Sequence, residues 1–92
     1  MSAQPEELER IVGVAIRLEG ETHCLPEPFR HHHLIGFLVK RGYDKPIAGP
    51  QGFVTNYKRF VNREVARMIA FDAGQIKGET HHRTELFSED LW

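Results

Sequence analysis

The chain has 92 residues, a formal charge of −1 and one cysteine, Cys24. That length suits one small domain. The single cysteine excludes an internal disulfide and a cysteine-based zinc site within one chain, and points to a reducing compartment. No apolar run approaches the roughly 20 residues of a membrane span, and residues 1–10 carry no signal-peptide core, so a cytoplasmic setting is expected.

In chain order, residues 1–9 read as a flexible arm, with a short helix over 1–8 as the alternative. Arg10 to Leu18 reads as a strand, with Val12, Val14, Ile16 and Leu18 on one face. The other face, Ile11, Gly13, Ala15 and Arg17, is small and suits a close neighbour such as a helix, a second subunit or a ligand. Glu19-Gly20 is a hairpin turn, and Glu21 to Leu25 the return strand. A helix is expected from Pro28 to Lys40 or Arg41, with Gly42 as its C′ residue. Leu34, Ile35, Phe37, Leu38 and Val39 form its apolar stripe. His31 falls on the middle of that stripe and His32 on its edge, while His33 and Lys40 face solvent.

Tyr43 to Gly52 is a loop rich in glycine and proline. Gln51 to Thr55 and Arg59 to Val61 make a second hairpin around Asn56-Tyr57-Lys58. Asn62 caps a helix from Arg63 to Ala73, and Gly74 ends it. Val65, Ala66, Ile69 and Ala73 form its buried face, while Phe71 points outward, where it suits a subunit contact or stands as a lone surface aromatic. Residues 77–84 read as a polar, mobile connection. Leu86, Phe87, Leu91 and Trp92 anchor a closing tail around the polar island Ser88-Glu89-Asp90. The fold class is α+β: two β-hairpins forming a small antiparallel sheet, two helices and a docked C-terminal tail.

The charge is blocky. Residues 1–27 carry −4, residues 28–67 carry +6 and the remainder −3. The basic middle suits an anion, while the balanced total argues against a nucleic-acid polymer. The candidate site combines three groups. Arg30, His31 and His32 sit at a helix start, where backbone N–H groups favour an anion. Arg59 and Arg63 lie at the entry of the other helix. Ser88, Glu89 and Asp90, with Gln51 and Gln75, suit ribose hydroxyls or base edges; Phe53 and Thr55 complete the set. His31 has a second reading, a core imidazole bonded to backbone. No P-loop or Rossmann glycine motif is present, and no serine or cysteine sits in a nucleophile elbow. A mixed site of His31, His32, Glu89, Asp90 and His81 or His82 would be the metal alternative, but no zinc-motif spacing supports it, so neither metal nor cofactor is expected.

Several ordered motifs remain: Ala15-Ile16-Arg17; Leu25-Pro26-x-Pro28-x-Arg30-His31-His32; Gln51-Gly52-Phe53-Val54-Thr55; Arg59-Phe60-x-Asn62-Arg63-Glu64 with Ala66; Ala73-Gly74-Gln75-Ile76; and Leu86-Phe87-Ser88-Glu89-Asp90-Leu91. Together they resemble a family of short, mostly uncharacterised proteins carried by tailed phages and bacterial genomes. The extra His33 and the Asn56-Tyr57-Lys58 turn depart from that pattern. The resemblance carries no activity with it. A phage setting implies a small anti-defence protein: a non-enzymatic, homo-oligomeric binder that sequesters an anionic, nucleotide-derived small molecule. The alternatives are a histidine-dependent hydrolase of a phosphoester or ADP-ribose-type compound, with His31 and Glu89 as its acid–base pair, and a protein–protein inhibitor of a host factor.

Overall fold

A computed structural model describes residues 8–76 and 84–92. It is α+β: β1 (Ile11–Leu18), β2 (Glu21–Pro26), α1 (His31–Lys40), β3 (Gln51–Thr55), β4 (Phe60–Asn62) and α2 (Arg63–Asp72), then a single 3₁₀ turn at Ser88–Asp90. The four strands form one antiparallel sheet in the order β2-β1-β3-β4, so the two hairpins join through β1 and β3. Glu19 and Gly20 both take positive φ, as the tight β1–β2 turn requires.

Both helices pack on one face. Leu34 and Leu38 of α1, Ala66 and Ala70 of α2, and Leu86 and Leu91 of the tail meet Val14, Ile16, Phe53 and Val61 in one apolar cluster. The register of β1 differs from strict alternation. A bulge between Ile11 and Gly13 turns Ile11 into the core beside Val14 and Ile16, and leaves Val12 only half-buried. Ile11 therefore leaves the small face, which keeps Gly13, Ala15 and Arg17.

The helices are bounded by local chemistry. The Asn62 side chain accepts from the Val65 N–H at 2.8 Å, capping α2. Gly42 and Gly74 take positive φ and close Schellman ends. Tyr43 N–H donates to Leu38 O and Gly42 N–H to Val39 O; Gln75 N–H donates to Ala70 O and Gly74 N–H to Phe71 O. Helix α1 begins at His31, three residues after the expected Pro28. Glu27 N–H still continues the sheet by donating to Val12 O, and Phe29 N–H closes a turn on Pro26 O, so the backbone there is committed elsewhere. The apolar stripes are also narrower than expected. Phe37 is 49% exposed and Val65 37% exposed, whereas Phe71 points outward as expected, at 69%. In the tail, Ser88 and Asp90 are buried and only Glu89 of the expected polar island is exposed.

The expected arm falls mostly on residues 1–7, outside the described residues, as does most of the expected connection at 77–83. Glu9 is held, accepting from Arg59 Nε at 2.7 Å and from the Thr55 hydroxyl at 2.7 Å. The bulged Ile11 is held from the far end of the chain. The Gln75 side chain accepts from Ile11 N–H at 2.8 Å and donates to Ile11 O at 2.9 Å. Removing it strips two partners from the backbone of a fully buried residue. Gln75→Ala should therefore lower the unfolding free energy by about 1–3 kcal/mol in urea denaturation, with the m-value unchanged.

Candidate functional site

The polar residues anticipated from the sequence fall into two groups along β3. Gln51 and Thr55 are four residues apart on that strand, roughly 13 Å. At the Gln51 end lie Arg63, His31 and the tail, with Arg30 joined to that end through Trp92; at the Thr55 end lie Arg59 and, through Ile11, Gln75; Phe53 sits midway.

The first group is bound together internally. His31 Nε2 meets Gly52 O at 2.8 Å, and the ring stands edge-on to Phe53, 5.0 Å between centroids. At 7% exposed, His31 is the core imidazole of the two readings. Arg63 donates to Leu86 O at 2.7 Å and to Gln51 Oε1 at 2.6 Å, with its guanidinium over the Phe87 ring. Arg30 donates to the main-chain oxygen of Trp92, whose indole N–H donates to Phe29 O at 2.8 Å. Phe87 N–H donates to the Asp90 carboxylate at 3.0 Å. Buried Ser88 accepts from the Leu91 and Trp92 N–H groups through its carbonyl, and Glu89 is exposed. In the second group, Thr55 and Arg59 converge on Glu9, and Gln75 holds Ile11. Phe53 is fully buried in the core.

His32 stands apart from both groups. It lines an open groove of about 450 Å³ between β2 and α1, with Leu25, Phe29, His33, Gly36, Phe37 and Lys40. Helical spacing places 32, 36 and 40 in one row and 33 and 37 in the next. Phe29 is 44% exposed. His33 Nδ1 accepts from the Arg30 backbone N–H at 2.9 Å, which leaves Nε2 as the N–H of the neutral ring. That ring lies tilted against His32, 4.1 Å between centroids with the planes 38° apart, and meets Phe29 edge-on at 5.5 Å. Arg41 lies over the Phe37 ring. Gly36 sits in the middle of the helix, where glycine costs about 0.5–1 kcal/mol against alanine. A Cβ there would meet nothing within 4 Å. Its φ is unexceptional too, so neither packing nor backbone conformation calls for glycine, and its effect is to keep the groove floor low.

The groove combines two aromatic faces, two imidazoles and an ammonium. Such a set can stack a planar ring and neutralise a phosphate. Sequence reasoning placed His33 and Lys40 on the surface but assigned Phe37 to the core and passed over Gly36. A glycine inside a helical pattern was the available signal. Among the described residues, no three His, Cys, Asp or Glu side chains converge as a metal site needs, and no helix is long and apolar enough to cross a membrane. His81 and His82 lie outside the described residues.

Burial, first, and Arg63 nearby lower the His31 pKa from about 6.5, against raising contributions from the Gly52 bond and Glu89. A histidine with a lowered folded-state pKa stabilises fully above its unfolded value. It loses that contribution as pH falls from about 6.5 toward the folded value, because the unfolded chain takes the proton first. Glu9, held down by Arg59, loses its contribution only below about 4.5. Unfolding free energy measured between pH 7 and pH 5 should fall, and His31→Gln should flatten that slope while leaving the acid limb below it.

The match to known families covers most of the chain. No curated protein and no solved structure matches it. The family model described as "Phage T4 y16D protein" matches residues 10–92, from the residue before β1 through the docked tail, and the chain belongs to that phage protein family.

Proposed function

We propose that this phage-family protein is a non-enzymatic binder that sequesters an anionic, nucleotide-derived small molecule in the α1 groove. The observation that carries the reading is the groove's composition: Phe29 and Phe37 flank a floor opened by Gly36, with His32, His33 and Lys40 along it. A base or nicotinamide ring stacks on the aromatics. Phosphates face the Lys40 ammonium and the imidazole N–H groups. A volume of about 450 Å³ is within the range of small-ligand sites. In this reading the tail assembly supports the site: Arg30 and Trp92 brace Phe29 and the start of α1, which hold one wall of the groove. Sequestration of a host immune signal, a cyclic oligonucleotide or ADP-ribose derivative, in the host cytoplasm gives the phage setting a purpose.

Calorimetry against cyclic di- and trinucleotides, ADP-ribose and its cyclic forms tests the proposal. At least one ligand should bind and be recovered intact. Gly36→Leu should abolish that binding by filling the floor, Lys40→Ala should weaken it about tenfold, and Gly36→Ala should bind while melting higher. A folded protein that binds none of the panel contradicts the reading; a ligand recovered cleaved replaces it with the hydrolase.

Inhibition of a host protein is a second reading, supported by a separate observation. Met68 and Phe71 on α2 are 67% and 69% exposed, one turn apart on the outer surface. Retention of a host protein that Phe71→Ser abolishes and Gly36→Leu leaves intact would favour it over the groove.

A further inference from the structure

The helices and tail pack on one side of the sheet, which leaves its other side without a described helix. Alternation and register give the outward residues: Gly13, Ala15 and Arg17 on β1, Thr22, Cys24 and Pro26 on β2, Gly52 and Val54 on β3, and Phe60 and Asn62 on β4. None is a carboxylate. Arg17 and, in the β3–β4 turn, Lys58 make this side basic, although the chain as a whole carries −1; Arg59 beside them is neutralised by its bidentate pair with Glu9. Glu9 at the rim is already committed to Arg59 and Thr55.

The surface has a definite shape. A Cβ at Gly52 would sit 2.7 Å from the Phe60 ring and 2.3 Å from Val61 O, so the ring lies directly over a residue that must be glycine. The Arg17 guanidinium stands over that ring, 5.4 Å from its centroid. Beside this stack is a shallow cavity of about 420 Å³, reaching Thr22, Cys24 and Val54 at one side and Lys58 and Arg59 at the other. Ala15 is fully buried between its neighbours, so the centre of the sheet is low and the cationic rim stands above it.

We propose that this sheet face binds a short segment of single-stranded nucleic acid. Bases stack on the Arg17–Phe60 pair and the low floor beside it, while Arg17 and Lys58 neutralise phosphodiesters. A flat surface with one aromatic–guanidinium stack and a second cation beside it accepts any base, since every base has a π-face. A duplex would present its backbone with no base free to stack. The total charge, which argued against a polymer, averages over faces of opposite sign; the relevant quantity is the local one. This site is on the opposite side of the sheet from the α1 groove and does not depend on it.

The test is fluorescence anisotropy with a labelled single-stranded oligonucleotide of about 12 nucleotides, titrated at several salt concentrations. Two phosphate contacts should give a log–log salt slope of about −1.4. Arg17 and Lys58 are exposed, so Arg17→Gln and Lys58→Gln should keep the fold; each should weaken binding several-fold, Arg17→Gln by about tenfold because it also loses the stack. Amide shifts on binding should cluster at Thr22, Cys24, Val54 and Phe60. No binding at low salt by the folded protein would overturn the proposal. So would displacement by excess mononucleotide with shifts on α1, which places the oligonucleotide in the groove, or equal displacement by polyglutamate, which assigns the face to acidic peptides. Failure of the groove reading alone would leave these results unchanged.

Discussion

Arg63 is the point at which the C-terminal tail becomes part of the fold. Its guanidinium bonds the Leu86 carbonyl and the Gln51 side chain, and it stacks on Phe87. In return the Leu86 N–H donates to the Arg63 carbonyl at 3.0 Å. One residue thus joins α2, β3 and the tail. Burial lowers its pKa, offset by Glu85, Glu89 and Asp90. A half-buried cation in this setting needs its partners: hydrogen bonds to charged groups contribute about 1.5–3 kcal/mol each, and removing a partner exposes the desolvation cost. With Leu86 seated, Leu91 closes the core and Trp92 reaches the start of α1, where Arg30 and the Phe29 carbonyl receive it.

This explains why residues that look like a ligand site in the sequence are occupied by their own chain. Arginine, glutamine and carboxylate side chains suit ribose and phosphate because they are strong, directional hydrogen-bonding groups. A small domain closed by an irregular tail has the same need for them. Apart from the 3₁₀ turn at Ser88–Asp90, the backbone of residues 84–92 is neither helix nor sheet, so its carbonyls and N–H groups must find side-chain or turn partners. Arg30, Arg63 and Asp90 supply them. Among the described residues, what remains outside that network is the outer surface of α1 and the side of the sheet away from the helices.

Much of the fold was legible because its signals are local. Asn62 before α2, Gly42 and Gly74 after the helices, and the Glu19-Gly20 turn each act within a few residues of themselves. The misreadings have long-range causes. The bulge that turns Ile11 inward is fixed by Gln75, 64 residues away. Phe37 reads as core because it is apolar at helical spacing, but α1 rests on the sheet through the row His31, Leu34 and Leu38, and Phe37 falls beside that row. The engagement of Arg30 and Arg63 by main-chain carbonyls has no periodicity and no motif. Of the groove residues, His32 was placed at the edge of the helix stripe by its helical position. Gly36 was the one unread local clue, a glycine that neither backbone geometry nor packing explains.

Native-state amide hydrogen exchange tests directly whether Arg63 holds the tail in the fold. The N–H groups of Leu86, Leu91 and Trp92 are bonded in this structure, to Arg63 O, Ser88 O and Ser88 O. They should exchange slowly, with protection near that of β3, and Arg63→Lys should release them together while the β1–β2 ladder stays protected. Rapid exchange of the tail amides in the unaltered protein, or tail protection that survives the loss of the Arg63 fork, would contradict the account.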